Sequence, residues 1–395
     1  MAGAEKEVVS CVACGSYNRE EIETAVRKAV DALGGITSFI RTGSRVLLKP
    51  NLLQGLPPER CVTTHPEVVR AVSLMCGDLG CRVIIADSPG GGIRYTPANL
   101  RRLYTAAGYD AVARDTGAEL NYDTGYRTVS HPAGLLVKSF PVITPALDAD
   151  HIIVVSKAKT HLWTLYSGGA KNLFGVLPGL EKPLHHARFQ DPDHFAGMIL
   201  DLNDLLRPSL QVMDAVMVME GDGPSSGTPR LLEALLAGRN ATALDQVACS
   251  MMGIPAADVP TLRVAGERGL PGSSPDQVSL VGNPPTALQG PGVRLPSTYR
   301  GPGRGMQRSV LLSLLHRLGG VYAPYPSFKP DRCQHCGRCA VICPVGALTL
   351  HEGVPEFRRE TCIRCYCCHE ICPAGAIVIL PGPARRLVAR ISGLS

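Results

Sequence analysis

Residues 1–290 alternate short apolar runs with stretches whose apolar positions recur at helical spacing. Arg45–Leu48 and Arg82–Ala86 read as buried strands, and the amphipathic pattern of Pro66–Asp78 places a helix between them. His151–Val155 and Leu210–Asp214 repeat the strand pattern on either side of a helix over Asp193–Leu206. Strand–helix–strand alternation with short apolar strands predicts an α/β domain, a largely parallel sheet covered by helices. Ligands in such sheets sit outside the carboxyl ends of the strands, where loops follow.

The pattern changes near residue 291. Pro284–Gly305 is rich in Pro, Gly and Ser and reads as an exposed connection, followed by a short helix over Met306–Leu318. We divide the chain into an α/β domain (1–290), a linker with that short helix (291–325), a small α+β cysteine-rich domain (326–382) and a basic tail (383–395). The tail reads as a solvated terminus.

Composition narrows the class. The 395 residues are 45% hydrophobic and 19% charged with a net charge of +6, ordinary values for a globular protein. No Lys/Arg block suggests nucleic-acid binding. No run approaches the roughly 18 apolar residues of a membrane span, and the first residues lack a secretory pattern, so the expected location is the cytoplasm. A homodimer is left open.

Nine of the 15 cysteines fall between Cys333 and Cys372. In a reducing compartment such thiols are free to bind metal. Two copies of one spacing occur, Cys333-x2-Cys336-x2-Cys339-x3-Cys343-Pro344 and Cys362-x2-Cys365-x2-Cys368-x3-Cys372-Pro373. Zinc ribbons favour two CxxC pairs across a longer gap, so zinc is the poorer reading. Over residues 326–382 the chain resembles the two-cluster bacterial ferredoxins, in which the fourth cysteine of each run crosses to the other cluster. That resemblance implies two [4Fe–4S] clusters. One is held by Cys333, Cys336, Cys339 and Cys372, the other by Cys362, Cys365, Cys368 and Cys343. Cys367, beside Cys368, departs from the pattern and reads as filling a hydrophobic corner. Cys11 and Cys14 form a lone CxxC with no aromatic or proline flank, a weak redox signal.

Polar residues gather after the strands of the α/β domain. Lys49 and Asn51 follow the first, and Ser88 opens a Ser-Pro-Gly-Gly-Gly loop after the second. That loop is either an anion cradle or a tight turn. It is not a Walker loop, and no GxGxxG fingerprint occurs in a dinucleotide context. The densest group is Lys157, Lys159 and His161, then Lys171 and Asn172 after a Gly-Gly pair. Ammonium groups, an amide and a glycine loop suit a carboxylate or phosphate. His185 and His186 follow, and Asp214, Glu220 and Asp222 surround another strand end.

Together these segments resemble a family of uncharacterised iron–sulfur-centre proteins, domain of unknown function 362. The resemblance rests on VLLKPNLL (Val46–Leu53), TTHPEVVRAV (Thr63–Val72), ADSPGGG (Ala86–Gly92), KAKTH (Lys157–His161), GGAKNLFGVLPG (Gly168–Gly179), LHHARF (Leu184–Phe189) and MEGDGPSSGTPR (Met219–Arg230). It implies a redox role. That family is distantly similar to lactate racemases with a nickel-pincer cofactor, whose motifs are not clear here. The expectation is an iron–sulfur reductase that passes low-potential electrons from reduced ferredoxin or flavodoxin to a small anionic substrate. Lys49, Asn51, Ser88, Lys157 and Asn172 would bind the substrate. Lys159 and Lys171 would stabilise developing charge, and His161 or His185 would supply a proton. The alternatives are a non-catalytic electron-transfer subunit docking on a larger complex and, more remotely, an isomerase or dehydratase. The last needs an iron free of cysteine, yet all eight expected ligands are present.

Overall fold

The structure is a computed structural model and describes residues 6–90, 92–284, 292–299 and 324–380. The expected linker helix over Met306–Leu318 and the basic tail lie outside these residues.

The large domain is built on a nine-stranded sheet. Its strands are β1 (Glu7–Ala13), β2 (Arg45–Pro50), β3 (Arg82–Ile85), β4 (Glu119–Leu120), β7 (His151–His161), β8 (Leu165–Ser167), β9 (Leu210–Glu220), β10 (Thr228–Gly238) and β11 (Val278–Val281). A separate hairpin joins β5 (Tyr126–Ser130) to β6 (Ser139–Ile143). The order is β11-β1-β10-β9-β7-β2-β3-β4, with β8 folded back on β7. Strands β9, β7, β2, β3 and β4 run parallel, whereas β10 runs against both β9 and β1. The sheet is thus largely parallel, as its apolar runs predict.

Both faces are covered. Helices Arg19–Asp31, Pro66–Gly77 and Pro97–Ala106 bury Val26, Val69 and Leu103 with Val46, Leu48 and Ile85 of the sheet. On the other face Pro192–Leu206 packs Phe195 and Ile199 against Leu47 and Val154. At roughly 25 cal/mol per Å² of apolar surface, such layers supply the main stabilisation. Chain order runs outward from β2 to β3 and β4, then returns to β7 on the other side of β2. The β2–β7 boundary is therefore a switch point, where the loops diverge and leave a crevice.

Residues 324–380 form the second domain from two hairpin-like sheets and two short helices. One sheet pairs β12 (Tyr325–Phe328) with β15 (Ile377–Leu380), the other β13 (Leu348–His351) with β14 (Val354–Phe357). The helices Arg338–Ile342 and Cys367–Ile371 each carry the third cysteine of a run and end at the fourth. This domain does not stand apart. Ile342, Cys365, Cys367 and Ile371 are buried in the same cluster as Leu52 and Ile93 of the large domain.

Candidate functional site

The cysteines converge in two rings. Cys333, Cys336, Cys339 and Cys372 line one small cavity, and Cys343, Cys362, Cys365 and Cys368 line another. Each ring takes three thiols from one run and one from the other. Main-chain N–H groups of Ala347 and Ala376 donate to Cys343 Sγ and Cys372 Sγ, each at 3.1 Å. Such donors stabilise thiolates and tune a cluster. Among the described residues no three His, Cys, Asp or Glu side chains converge as a single-ion site. Rings of four thiols around a space suit an iron–sulfur cluster, and the residues fit that group. Cys367 also borders the second ring but is buried among apolar residues. Cys11 and Cys14 lie in and just after β1, where burial pushes both thiols up to about 12 and keeps them unreactive.

A second site sits at the β2–β7 switch point. Asn51, Asp87, Ser88, Lys159, Lys171, Asn172, Lys182 and Glu370 line a cavity of about 60 Å³. Lys49 Nζ lies 2.8 Å from Asp87 Oδ1, with both side chains buried. A Cβ on Gly175 would collide with this pair, so only glycine lets the loop pass. Asn51 Nδ2 donates to Asn172 Oδ1 at 3.2 Å, and Lys159 Nζ donates to Asn51 Oδ1 and, at 2.7 Å, to the Val62 carbonyl. Lys182 Nζ donates to four oxygens, those of Ser88, Pro89 and Leu177 and Ser88 Oγ, over 2.6–3.1 Å. Burial draws the Lys159 and Lys182 ammonium groups down to about 7, and at Lys159 the neighbouring Lys171 and Lys157 charges add to it.

His161 Nδ1 accepts from the N–H groups of Trp163 and Thr164 at 3.1 and 3.4 Å. The imidazole proton is thereby assigned to Nε2, 3.0 Å from Lys171 Nζ and 3.5 Å from Glu370 Oε1. Burial draws Lys171 below the ordinary lysine value, against the pull of Glu370. Burial, with the Lys171 charge second, holds His161 itself well below its ordinary value.

Glu370 comes from the other domain. It stands on helix Cys367–Ile371, between the ring cysteines Cys368 and Cys372. Its carbonyl accepts from Gln54 and, at 2.6 Å, from Ser225, while its Oε1 has no hydrogen-bond partner. Burial raises its carboxyl to about 7, against the pull of Lys171 and Lys159.

Comparison with known proteins places the chain. The family model described as a domain of unknown function (DUF362) matches residues 46–250, and one described as a 4Fe-4S dicluster domain matches residues 329–376. The chain belongs to the DUF362 family. A thylakoid-associated protein of Synechocystis is 32% identical over 265 residues, 66% of this chain and 79% of that one. A lactate racemase apoprotein from Thermoanaerobacterium thermosaccharolyticum aligns at 14% identity and a TM-score of 0.39, over 65% of this chain and 58% of that one. A structural-genomics protein from Thermotoga maritima aligns at 14% and 0.34, over 59% and 58%. The chain spans less than two thirds of either solved structure. As a DUF362 protein with a ferredoxin-type domain, it is an electron-transfer iron–sulfur protein. No helix among its described residues is long and apolar enough to cross a membrane.

Within this DUF362 domain the residues singled out from sequence separate into groups. Asn51, Ser88, Lys159, Lys171 and Asn172 line the cavity; Lys49 stands behind Asp87, and His161 meets Lys171. Lys157 goes elsewhere. Its Nζ is 2.8 Å from Asp214 Oδ2 and 2.7 Å from the hydroxyl of Tyr17, which itself stacks on His65. His185 bonds the Glu181 carbonyl through Nδ1 and packs on Phe189 and on the cavity residue Phe174, without lining the cavity itself. Glu220 binds Arg230 and the N–H of Arg294, and Asp222 caps Ser297. In the glycine loop Gly90 borders the cavity, while Gly92 adopts φ +71 and a Cβ there would lie 2.6 Å from Ile342 of the cysteine domain. Sequence reasoning missed Glu370, one of three unspecified positions between Cys368 and Cys372, so no spacing signal marks it.

Proposed function

We propose that this protein is an iron–sulfur reductase. Its C-terminal domain holds two [4Fe–4S] clusters, one per cysteine ring, and its lysine-lined cavity takes a small anionic acid. One observation carries this reading: Glu370, on the helix between two ring cysteines, is also a wall of the cavity. Bound clusters supply low-potential electrons singly. An unsaturated or carbonyl acid takes up two such electrons and two protons, which reduced ferredoxin or flavodoxin and solvent replace.

The residues supply the rest. Lys159, Lys171 and Lys182 face Asp87 and Glu370, and Asp87 is already paired with Lys49, so positive charge is left for an anion. Lys159 Nζ offsets charge growing on the substrate oxygen in a site shielded from water. The Lys171 Nζ–His161 Nε2 contact holds a proton within the same wall. Reducing conditions that keep 15 cysteines as thiols favour the cytoplasm.

The test is anaerobic. Cluster-loaded protein reduced with dithionite is mixed with small 2-oxo and unsaturated acids, and reoxidation is followed by absorbance. An acid-dependent rate that Lys159→Met lowers about a hundredfold supports the reductase. Reoxidation indifferent to every acid, with transfer to a protein acceptor intact in Lys159→Met, replaces it with the electron-transfer subunit.

A further inference from the structure

The cavity is small for a ligand site. Pockets for drug-sized ligands run to roughly 300–1,000 Å³, whereas this one offers about 60 Å³. Three of its walls are fixed. Lys182 is tied to four oxygens, the Lys49–Asp87 pair is braced by the Leu52 N–H on Asp87 Oδ2 at 2.9 Å, and the two asparagines hold each other. The fourth wall is the side chain of Glu370. Its Oε1 is buried and makes no hydrogen bond; its near neighbour is His161 Nε2 at 3.5 Å. The main chain beneath it is secured separately by Gln54 and Ser225.

We propose that Glu370 is the specificity-determining residue of this site, limiting it to carboxylates of a few non-hydrogen atoms; the proposal rests on the anion-binding cavity described above. Lys159 and Lys171, with the neighbouring amides of Asn51 and Asn172, recognise the carboxylate group. The Cγ and carboxyl of Glu370 fill the space into which a longer acid would extend. A bound acid then touches the helix that carries the ring cysteine Cys368 and ends at Cys372, which shortens the electron path to one side chain.

The experiment compares wild type, Glu370→Gln and Glu370→Ala, all cluster-loaded, by anaerobic calorimetry with formate, acetate, pyruvate and phenylpyruvate. Gln keeps the shape and removes the carboxylate; Ala removes both. Because residue 370 is anchored through its carbonyl, both variants should fold, and retained cluster absorbance checks this. Wild type and Glu370→Gln should bind formate and acetate and reject phenylpyruvate. Glu370→Ala should bind phenylpyruvate at least tenfold more tightly than Glu370→Gln does, with a changed electron paramagnetic resonance line shape on binding. Equal rejection of phenylpyruvate by both variants, with formate and acetate bound, overturns the size limit and leaves the anion site standing. Binding of no acid by any of the three overturns both.

Discussion

Lys157 and Lys159 stand two positions apart on one strand, yet they end in opposite circumstances. Lys157 is sealed. Its side chain is 1% exposed, and Asp214, at 0%, lies against it with the Tyr17 hydroxyl completing the contact. The β7–β9 register shifts between them, so Lys157 pairs with Asp214 whereas Lys159 pairs with Met219. There Lys159 meets an amide and a carbonyl but no carboxylate within ion-pair distance among the described contacts, and it borders a cavity. A buried ion pair that satisfies itself belongs to the fold, whereas a buried ammonium facing open space is available to a ligand.

The sharpest way to break this contrast is at Asp214. Asp214→Ala strands the Lys157 ammonium inside the protein and should cost about 3–5 kcal/mol, read as a lower midpoint in urea unfolding. Lys159→Met should do the reverse, leaving the midpoint no lower than wild type while acetate affinity or acid-dependent turnover falls about a hundredfold. If Lys159→Met unfolds the protein as readily as Asp214→Ala, the two lysines are both structural and the contrast fails. Smaller again is Gly92→Ala, which combines a strained left-handed backbone with a collision against Ile342. It should destabilise by about 1–2 kcal/mol and loosen the cysteine domain, seen as faster proteolysis around residue 342.

The gentlest probe is pH. With Lys159 drawn down to about 7, acetate binding should weaken as pH rises through 7, and Lys159→Met should flatten that profile. The sign for stability is opposite. A lysine with a lowered folded pKa burdens the fold fully below about pH 7, and the burden lifts as pH climbs toward the 10.5 of the unfolded chain. Urea midpoints for wild type should therefore rise relative to Lys159→Met across that range.

The same contrast explains what the sequence could disclose. Strands β2 and β3 and the helix after His65 are legible because their apolar periodicity is local. Strand β7 runs on past Val155 through Ser156, Lys157, Lys159 and Thr160, whose polarity reads as loop, and β9 runs on past Asp214 to Glu220. Those residues stay extended because β8 and β10 supply backbone partners and buried side chains satisfy one another, facts of tertiary contact. The cysteine rings are legible for the first reason, since spacing along the chain sets their geometry. Glu370 is hidden for the second: nothing local distinguishes it from its neighbours, and only docking of the two domains delivers it to Lys171. Lys157 and His185 look equivalent to Lys159 and His161 until their partners are seen.

Gln54 and Ser225 grip the main chain at residue 370 and leave its side chain untouched. Attachment and chemistry are thus uncoupled at a single position. Among descendants of a common scaffold, that residue can be exchanged without dislodging the domain that carries it. Position 370 can therefore change its side chain while the cysteine domain stays attached.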